Sequence, residues 1–230
     1  MEAIVLAGGL GTRLRSVVAD RPKAMAEVGG QPFLAHVLDQ LAASGFETAI
    51  LAVGYRAEQI RAHFGVCHRQ LQLRYSAEDE PLGTGGAIVA ALRNATSNDV
   101  FVVNGDTFVD VDHQAMEAAH RDGRSAVTIA VHAVADVERY GALDLDGSRI
   151  RGFLEKGRRG AGWINAGVYV LARSLLERRA LPARFSFESD FLVPRVRELC
   201  PLAFITEGMF IDIGVPEDYA RAQTLLAGRG

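Results

Sequence analysis

Short apolar runs alternate with helical patterns through the first half of the chain, and this alternation restricts the fold more than any other sequence feature. Strands are expected at residues 3–7, 48–53, 71–75 and 100–104, and helices at 32–44, 57–64 and 85–92. Helices that connect successive strands make crossovers between parallel strands and cover both faces of the sheet. The sequence therefore predicts an α/β fold, a Rossmann-like three-layer α/β/α arrangement around a mixed, mostly parallel sheet.

The second half of the chain is less regular than the first. Strands are expected at residues 126–131, 142–145, 150–154, 167–171 and 210–213, and a closing helix at 216–226. The 230 residues contain no repeat, linker or low-complexity tract, and their number fits one domain. We expect a single domain over residues 1–230, with a first part over about 1–110 and a second over about 111–230.

The composition of the chain limits the kinds of molecule that it is expected to bind. The formal net charge is −3, so no electrostatic attraction favours a nucleic acid or a membrane surface. Cys67 and Cys200 fit no metal-ligand spacing and are expected to be free, buried thiols in a reducing compartment. The N-terminal residues have neither the basic region of a signal peptide nor an apolar run long enough to span a membrane. A cytoplasmic protein is the expectation.

A glycine-rich turn, GGLGTR at residues 8–13, follows the first predicted strand. It is not a dinucleotide fingerprint, because Leu14 stands where the third glycine is required, and no Gly-Lys-Ser/Thr of a P-loop occurs. Bare backbone N–H groups can nevertheless approach an anion closely. Arg13 and Lys23 add cations suited to phosphate. The turn is either a phosphate site or a plain tight turn with solvated cations.

Two aspartates are candidates for holding a metal ion. Asp106 follows the apolar strand at residues 100–104, at the carboxyl edge where α/β sheets bind ligands. Asp212 stands between Ile211 and Ile213, and a charge in such a run must face water, a partner or a metal, because an unpaired buried charge is costly. Carboxylates together with phosphate oxygens and water are the ligands that Mg²⁺ prefers. An Asx turn at Asp106 is the alternative.

The segment EDEPLGTGGA at residues 78–87 forms a loop that opens a helix. It is either a plain helix start or a loop that binds a base, with Glu78 as the acceptor. A carboxylate accepts two parallel hydrogen bonds, and guanine offers two adjacent donors, its ring N–H and its exocyclic amine. Uracil and thymine offer only one ring N–H between two carbonyls, which matches an ionised acid less well. If the loop binds a base, Glu78 favours guanine.

Seven segments, in this order, resemble the sugar-1-phosphate nucleotidyltransferase family over nearly the whole chain. They are LAGGLGTRLR at 6–15, RPKAM at 21–25, EPLGTGGA at 80–87, NGDTF at 104–108, EK at 155–156, NAGVY at 165–169 and FIDIGVPEDY at 210–219. One position departs from the family pattern, because Ala24 replaces a second proline after Lys23. The pieces RLRSVVAD, GGQPFL, EPLGTGGA and FIDIGVPEDY resemble the family's heptose 1-phosphate branch.

The resemblance implies a role for each matching position. The nucleotide would be bound by Leu6, Ala7, Gly8, Gly9, Gly11, Thr12, Arg13, Lys23, Glu78, Gly83 and Asp106. Magnesium would be held by Asp106 and Asp212, and the sugar phosphate by Gly141, Glu155, Lys156 and Asn165. The catalytic cations would be Arg13, Lys23 and Lys156.

The activity that the resemblance implies is transfer of a nucleoside monophosphate from a nucleoside triphosphate to a sugar 1-phosphate, with release of pyrophosphate. GTP and D-glycero-α-D-manno-heptose 1-phosphate are the favoured pair, and a cell-surface polysaccharide is the expected destination. A mannose 1-phosphate enzyme, a uridylyltransferase or a thymidylyltransferase are alternatives within the class. A non-catalytic nucleotide sensor on the same fold is an alternative outside it. The sequence leaves open whether the chain forms a homo-oligomer.

Overall fold

A computed structural model describes residues 1–9, 11, 14, 18, 21–155 and 157–228. The helices are α1 Phe33–Ala43, α2 Ala57–Phe64, α3 Gly83–Leu92, α4 His113–Asp122, α5 Ser174–Glu177, α6 Val193–Leu199 and α7 Pro216–Leu225, with a 3₁₀ turn at Lys23–Met25 and a π-helical turn at Phe187–Leu192. The strands are β1 Glu2–Leu6, β2 Glu27–Val28, β3 Gln31–Pro32, β4 Thr48–Val53, β5 Cys67–His68, β6 Leu71–Ala77, β7 Asp99–Asn104, β8 Thr107–Val109, β9 Val127–Val134, β10 Ala142–Asp146, β11 Arg149–Phe153, β12 Gly162–Ala172, β13 Leu202–Thr206 and β14 Phe210–Asp212.

Ten strands form one sheet in the order β10-β11-β13-β9-β12-β7-β1-β4-β6-β5. The run β7-β1-β4-β6 is parallel throughout, because helices connect its strands. Its carboxyl ends therefore meet at one edge, where the loops after β1, β4, β6 and β7 come together. This edge is where the sequence places its ligand-binding turns.

The prediction that the sheet is mostly parallel is wrong for the second half of the chain. Among the described residues, four of the ten pairings in the main sheet are parallel. Strand β10 pairs with both β11 and β12, so β12, β9, β13, β11 and β10 close into a small barrel-like ring. The two-residue link Gly147–Ser148 forces β10 and β11 to pair antiparallel, because no crossover helix fits there.

The sheet is covered on both faces. Along β1, Ala3 and Val5 pack into a core with α1, α2 and α7, whereas Ile4 packs with α3, α5 and α6 on the other side. Side chains of a strand alternate between its two faces, so a continuous apolar run is what a strand buried on both sides requires. The helix and strand predictions of the first half are confirmed to within a few residues.

The sequence missed α4, α6 and β13, and the predicted burial of both cysteines is wrong, because Cys67 is exposed and Cys200 is partly exposed. Helix α4 is mostly polar, and its buried face contains His113 and His120, which break the apolar pattern. Cys67 is a free thiol but exposed, because β5 is a two-residue strand at the outer edge of the sheet. No helix among the described residues is both long and apolar enough to cross a membrane.

His113 is a buried polar side chain in the core of the fold. Its ring is 1% exposed and packs edge-on against Phe46 and Phe101, with centroid distances of 5.2 and 5.5 Å. Its Nδ1 lies 2.9 Å from the hydroxyl oxygen of Ser44, and its Nε2 has no hydrogen-bond partner in the described structure. Burial lowers the pKa of His113 from its ordinary 6.5 to about 4, against the opposing charge of Asp112.

This depressed pKa predicts a pH-dependent stability. Between pH 6.5 and about pH 4 the unfolded chain binds a proton at His113 that the folded chain does not, so stability falls as the pH falls through this window. His113 should contribute a loss of about 3 kcal/mol over the full window. Urea denaturation between pH 4.5 and 7.5 should give a flatter pH profile for His113→Asn than for the wild type. His63→Asn, at an exposed histidine, is the control. Equal slopes for His113→Asn and the wild type would contradict this account.

Candidate active site

A cavity of about 680 Å³ opens at the carboxyl edge of the parallel strands. It is lined by Leu6, Ala7, Gly8, Gly9, Gly11, Lys23, Ala24, Ala52, Gly54, Tyr55, Glu78, Asp79, Glu80, Pro81, Gly83, Thr84, Ala87, Asn104, Gly105 and Asp106. Nine of the eleven positions expected to bind a nucleotide are among them, and the remaining two, Thr12 and Arg13, lie outside the described residues. The cavity is large enough for a nucleotide-sized ligand.

The glycine-rich turn brings backbone close to backbone at the cavity wall. Ala7 N–H donates to the carbonyl of Ala52 at 2.8 Å, which extends the β1–β4 ladder into the turn. Gly11 has a φ of +57°, and a Cβ on it would lie 2.8 Å from Cβ of Lys23. A larger residue would therefore be strained at Gly11 and would displace Lys23.

Asp106, Lys23 and Asp212 meet beside this turn. The Lys23 ammonium lies 2.6 Å from Oδ2 of Asp106 and 3.6 Å from Oδ1 of Asp212. Strand β14 pairs with β8 so that Asp212 faces Thr107, the residue after Asp106, and Ile213 N–H donates to the Asp106 carbonyl at 3.1 Å. A two-stranded ribbon therefore joins two aspartates that are far apart in the sequence.

The Asp212 carboxylate is only partly satisfied by its surroundings. Its Oδ1 is buried and has no hydrogen-bond partner in the described structure, although Lys23 lies nearby. Burial raises the pKa of Asp212, and the neighbouring Asp106 charge raises it further, whereas Lys23 and the Gly214 backbone oppose the rise. Two converging carboxylates, one with an oxygen that accepts no hydrogen bond from the described residues, fit a divalent cation.

The described residues contain no group of three or more His, Cys, Asp or Glu side chains arranged to hold a metal ion. A site with two carboxylates matches Mg²⁺, which usually keeps water and substrate phosphate oxygens among its ligands. It does not match a structural zinc site, which uses four protein ligands.

Glu78 lies at the cavity wall as the sequence predicts, with one oxygen already in use. Its Oε2 accepts a hydrogen bond from Leu82 N–H at 3.0 Å, and this contact folds the loop before α3. The carboxylate keeps Oε1 and a second lone pair on Oε2 as acceptors. The same loop adds Asp79 and Glu80, so this wall of the cavity is acidic and suited to a base that presents N–H donors.

The residues expected to bind the sugar phosphate lie on the barrel-like half. Gly141 precedes β10, whose Ala142 pairs with Ile164, the neighbour of Asn165 on β12. Glu155 is exposed just beyond β11, and Lys156 lies outside the described residues. Gly167, with a φ of +76°, packs against Asn104, because a Cβ there would lie 2.5 Å from Asn104 Nδ2. Asn104 lines the cavity, so the Asn165 segment adjoins it.

An ionic brace near Asp212 was missed from the sequence. The Asp218 carboxylate is 1% exposed and accepts hydrogen bonds from Arg139 at 2.6 Å and Arg221 at 2.9 Å. The brace ties helix α7 to the segment before Gly141. An ion pair between residues so far apart in the sequence leaves no local signal at either position.

Several cavity residues were also missed, and a simple signal would have found two of them. Gly54 and Tyr55 follow β4 just as Gly8 and Gly9 follow β1. Since the carboxyl ends of parallel strands share one edge, the residues after every parallel strand are candidates. Arg56 has a left-handed φ of 53°, and its guanidinium lies 5.3 Å from the centroid of the Tyr55 ring.

Comparison with known proteins agrees with this geometry. The family model described as nucleotidyl transferase matches residues 2–228. The D-glycero-alpha-D-manno-heptose 1-phosphate guanylyltransferase of Aneurinibacillus thermoaerophilus is 43% identical over 97% of both chains. The enzyme of the same name from Campylobacter jejuni is 40% identical over 95% of this chain and 97% of its own.

A solved structure is similar in both sequence and fold. HddC from Yersinia pseudotuberculosis is 38% identical, with a TM-score of 0.89 over 98% of this chain and 99% of its own. HddC has also been crystallised in complex with GMP-PN, and that structure superposes with a TM-score of 0.86.

The contacts among Lys23, Asp106 and Asp212 predict the effect of removing the Lys23 ammonium. Lys23→Met leaves the carboxylates of Asp106 and Asp212 facing each other, so the ligand-free protein should lose about 1–3 kcal/mol of unfolding free energy. Thermal denaturation in the presence of a chelator measures this loss. Arg21→Met is the matched control, because Arg21 is half-exposed and its nearest carboxylate oxygen, on Glu27, is 3.9 Å away. Stability equal to that of the wild type would show that the ammonium does not offset the repulsion.

Proposed function

This chain belongs to the nucleotidyl transferase family, and on that premise we propose that it transfers GMP from GTP to D-glycero-α-D-manno-heptose 1-phosphate. The products are pyrophosphate and the GDP-sugar. One observation carries the proposal, namely that Lys23 and Asp106 line the same cavity as the acidic loop at Glu78, with Asp212 joined to them. The two relatives named heptose 1-phosphate guanylyltransferase are 43% and 40% identical over nearly their whole length, and they support the choice of substrates.

The reaction is an in-line attack of the sugar phosphate oxygen on the α-phosphorus of GTP. A phosphate monoester has a second pKa of about 6, so the nucleophile is already largely ionised at neutral pH. The site therefore needs no general base. Its main task is to bring two anions together and to stabilise the charge that develops on the phosphates. The bare N–H groups of the glycine-rich turn and the cations Lys23, Arg13 and Lys156 are proposed for this task.

Asp106 and Asp212 are proposed to hold Mg²⁺, which when bound would neutralise phosphate charge and orient the triphosphate. The Oδ1 of Asp212, which accepts no hydrogen bond from the described residues, supports this choice. In the protein without ligands, Lys23 offsets the two carboxylates at 2.6 and 3.6 Å. Lys23 thus keeps the pair from repelling each other before substrate binds.

Base choice is assigned to the acidic wall of the cavity. The Glu78 oxygens left over by Leu82 would accept hydrogen bonds from the ring N–H and exocyclic amine of guanine. The complex of HddC with GMP-PN supports a guanine nucleotide. We assign the nucleotide to about residues 1–110, and the sugar phosphate to about residues 111–230, at Gly141, Glu155, Lys156 and Asn165. A cytoplasmic location completes it, consistent with the free thiols Cys67 and Cys200.

A substrate panel tests the proposed reaction. Pyrophosphate release should occur with Mg²⁺, GTP and heptose 1-phosphate, and should be far slower with UTP, dTTP, CTP or ATP. Mannose 1-phosphate in parallel wells tests the second sugar. Release with another pair would keep the reaction class and overturn the substrates. Binding of GTP without release from any pair would favour a nucleotide sensor instead.

Asp212→Asn tests the two-carboxylate metal site. The substitution removes a charge but retains the shape of the side chain, so turnover should fall by about 10²–10³-fold if the carboxylate stabilises transition-state charge through the metal. Initial rates across a Mg²⁺ titration measure the effect. Asp146→Asn is the control, because Asp146 is 70% exposed and pairs with Arg151 on the surface. Full activity of Asp212→Asn at low Mg²⁺ would contradict the two-aspartate site.

A further inference from the structure

The side-chain amide of Asn165 has almost all of its hydrogen-bonding capacity assigned within the protein. Its Nδ2 donates to the hydroxyl oxygen of Tyr169 and to Oε2 of Glu188, each at 2.7 Å. Its Oδ1 accepts from Gly167 N–H at 3.0 Å. An amide nitrogen has two hydrogens, and a carbonyl oxygen has two lone pairs. One lone pair of Oδ1 is the capacity that remains for a ligand.

Two of these partners fix which way round the amide lies. Glu188 is an acceptor when ionised, so it must face the nitrogen of Asn165. Gly167 N–H is a donor, so it must face the oxygen. A flipped amide would set oxygen against carboxylate and nitrogen against N–H. Glu188 therefore determines that Asn165 offers an acceptor, and not a donor, to whatever binds beside it.

The position of Glu188 is itself fixed by neighbouring structure. It lies in the π-helical turn Phe187–Leu192. Such turns are rare in proteins, and many of those that occur are at functional sites. The Phe187 ring packs edge-on against Tyr169 at 5.4 Å and stacks on Phe191 at 5.7 Å. Phe187 N–H donates to the hydroxyl oxygen of Thr84, which lines the nucleotide cavity. Ring packing and a hydrogen bond to Thr84 thus hold the segment that carries Glu188 in place.

The preceding segment is joined to the loop that carries Glu78. Phe185 N–H donates to the carbonyl of Leu82, and Gly85 N–H donates to the carbonyl of Phe185. A Cβ on Gly85 would lie 2.1 Å from the Phe185 ring, so the two segments pack too closely for any side chain at position 85. Leu82 in turn donates to Glu78. A chain of contacts therefore runs from the base-binding loop to Glu188 and Asn165.

We infer that Glu188 is a positioning residue for sugar phosphate binding, which holds the Asn165 amide so that Oδ1 accepts a hydrogen bond from a sugar hydroxyl. The inference rests on the proposed function. Burial raises the pKa of the Tyr169 hydroxyl, and the Glu188 charge raises it further, so this oxygen stays a neutral partner for Nδ2. Glu188 acts through Asn165, and its loss should affect the sugar phosphate and not GTP.

Kinetics of Glu188 variants test this division. Glu188→Leu removes the acceptor, so KM for the sugar phosphate should rise about 10-fold or more while KM for GTP changes less than about twofold. Glu188→Gln keeps an acceptor oxygen and should recover most of the wild-type KM. Glu198→Gln is the control, because Glu198 pairs with Arg179 at the surface of a neighbouring helix. Equal increases in both KM values would overturn the inference.

A polarity swap gives the sharpest test. Asn165→Asp sets two carboxylates against each other and should impair sugar phosphate binding strongly. In Asn165→Asp with Glu188→Gln, the new amide donates to the new carboxylate, while Oδ1 still accepts from Gly167 and from the sugar hydroxyl. The double variant should therefore recover much of the loss. If Asn165 bound the sugar through its nitrogen, the swap would not recover binding, and the inference would fail.

Side-chain amide signals of Asn165 in NMR spectra report the contact without any turnover. Slow rotation about the amide C–N bond gives two separate hydrogen signals in every variant. The hydrogen that donates to Glu188 should be shifted downfield and protected from solvent exchange in the wild type and in Glu188→Gln, and should lose both the shift and the protection in Glu188→Leu. Unchanged signals in Glu188→Leu would overturn the inference whether or not the enzyme turns over. Absence of pyrophosphate release from the wild type would instead count against the proposed function.

Discussion

The electrostatic balance between Lys23, Asp106 and Asp212 is the interaction on which the site depends. Two carboxylates at one edge of a sheet repel each other unless a cation lies between them, and Lys23 is the described cation in contact with both. Backbone hydrogen bonds hold the segments of the two aspartates in place. Gly105 N–H donates to the Leu6 carbonyl at 3.0 Å, and Ile213 N–H to the Asp106 carbonyl at 3.1 Å. Asp106 is therefore joined both to β1 and to the late strand β14.

The fold consists of two halves of one sheet that differ in how their strands are connected. Crossover helices keep β6, β4, β1 and β7 parallel, so their following loops gather into one cavity. The other half is mostly antiparallel, with β9 and β13 as its parallel pair, and it closes into a ring that carries Gly141 and Asn165. The halves meet between β7 and β12, where Gly167 packs against Asn104. This junction places the cavity next to the strand that carries Asn165.

The nucleotide half was more predictable than the other half, for physical reasons. Its strands are apolar on both faces and its helices have clear stripes, so periodicity locates them. Helix α4 was not predicted, because the polar residues His113 and His120 occupy buried positions as uncharged or partnered rings. The Arg139–Asp218 ion pair was not predicted, because an ion pair between residues far apart in sequence leaves no local pattern. The assignments at Thr12, Arg13 and Lys156 stay predictions.

The sequence by itself determined the α/β class, the glycine-rich and acidic turns, and the family resemblance, because each depends on local spacing or on short motifs. Only the tertiary structure decided that Asp212 joins Asp106 through the β8–β14 ribbon. It also decided the direction of strand pairing in the second half and the orientation of the Asn165 amide by Glu188. These features arise from contacts between distant segments, and the energy of such contacts depends on distance and burial that no local pattern encodes.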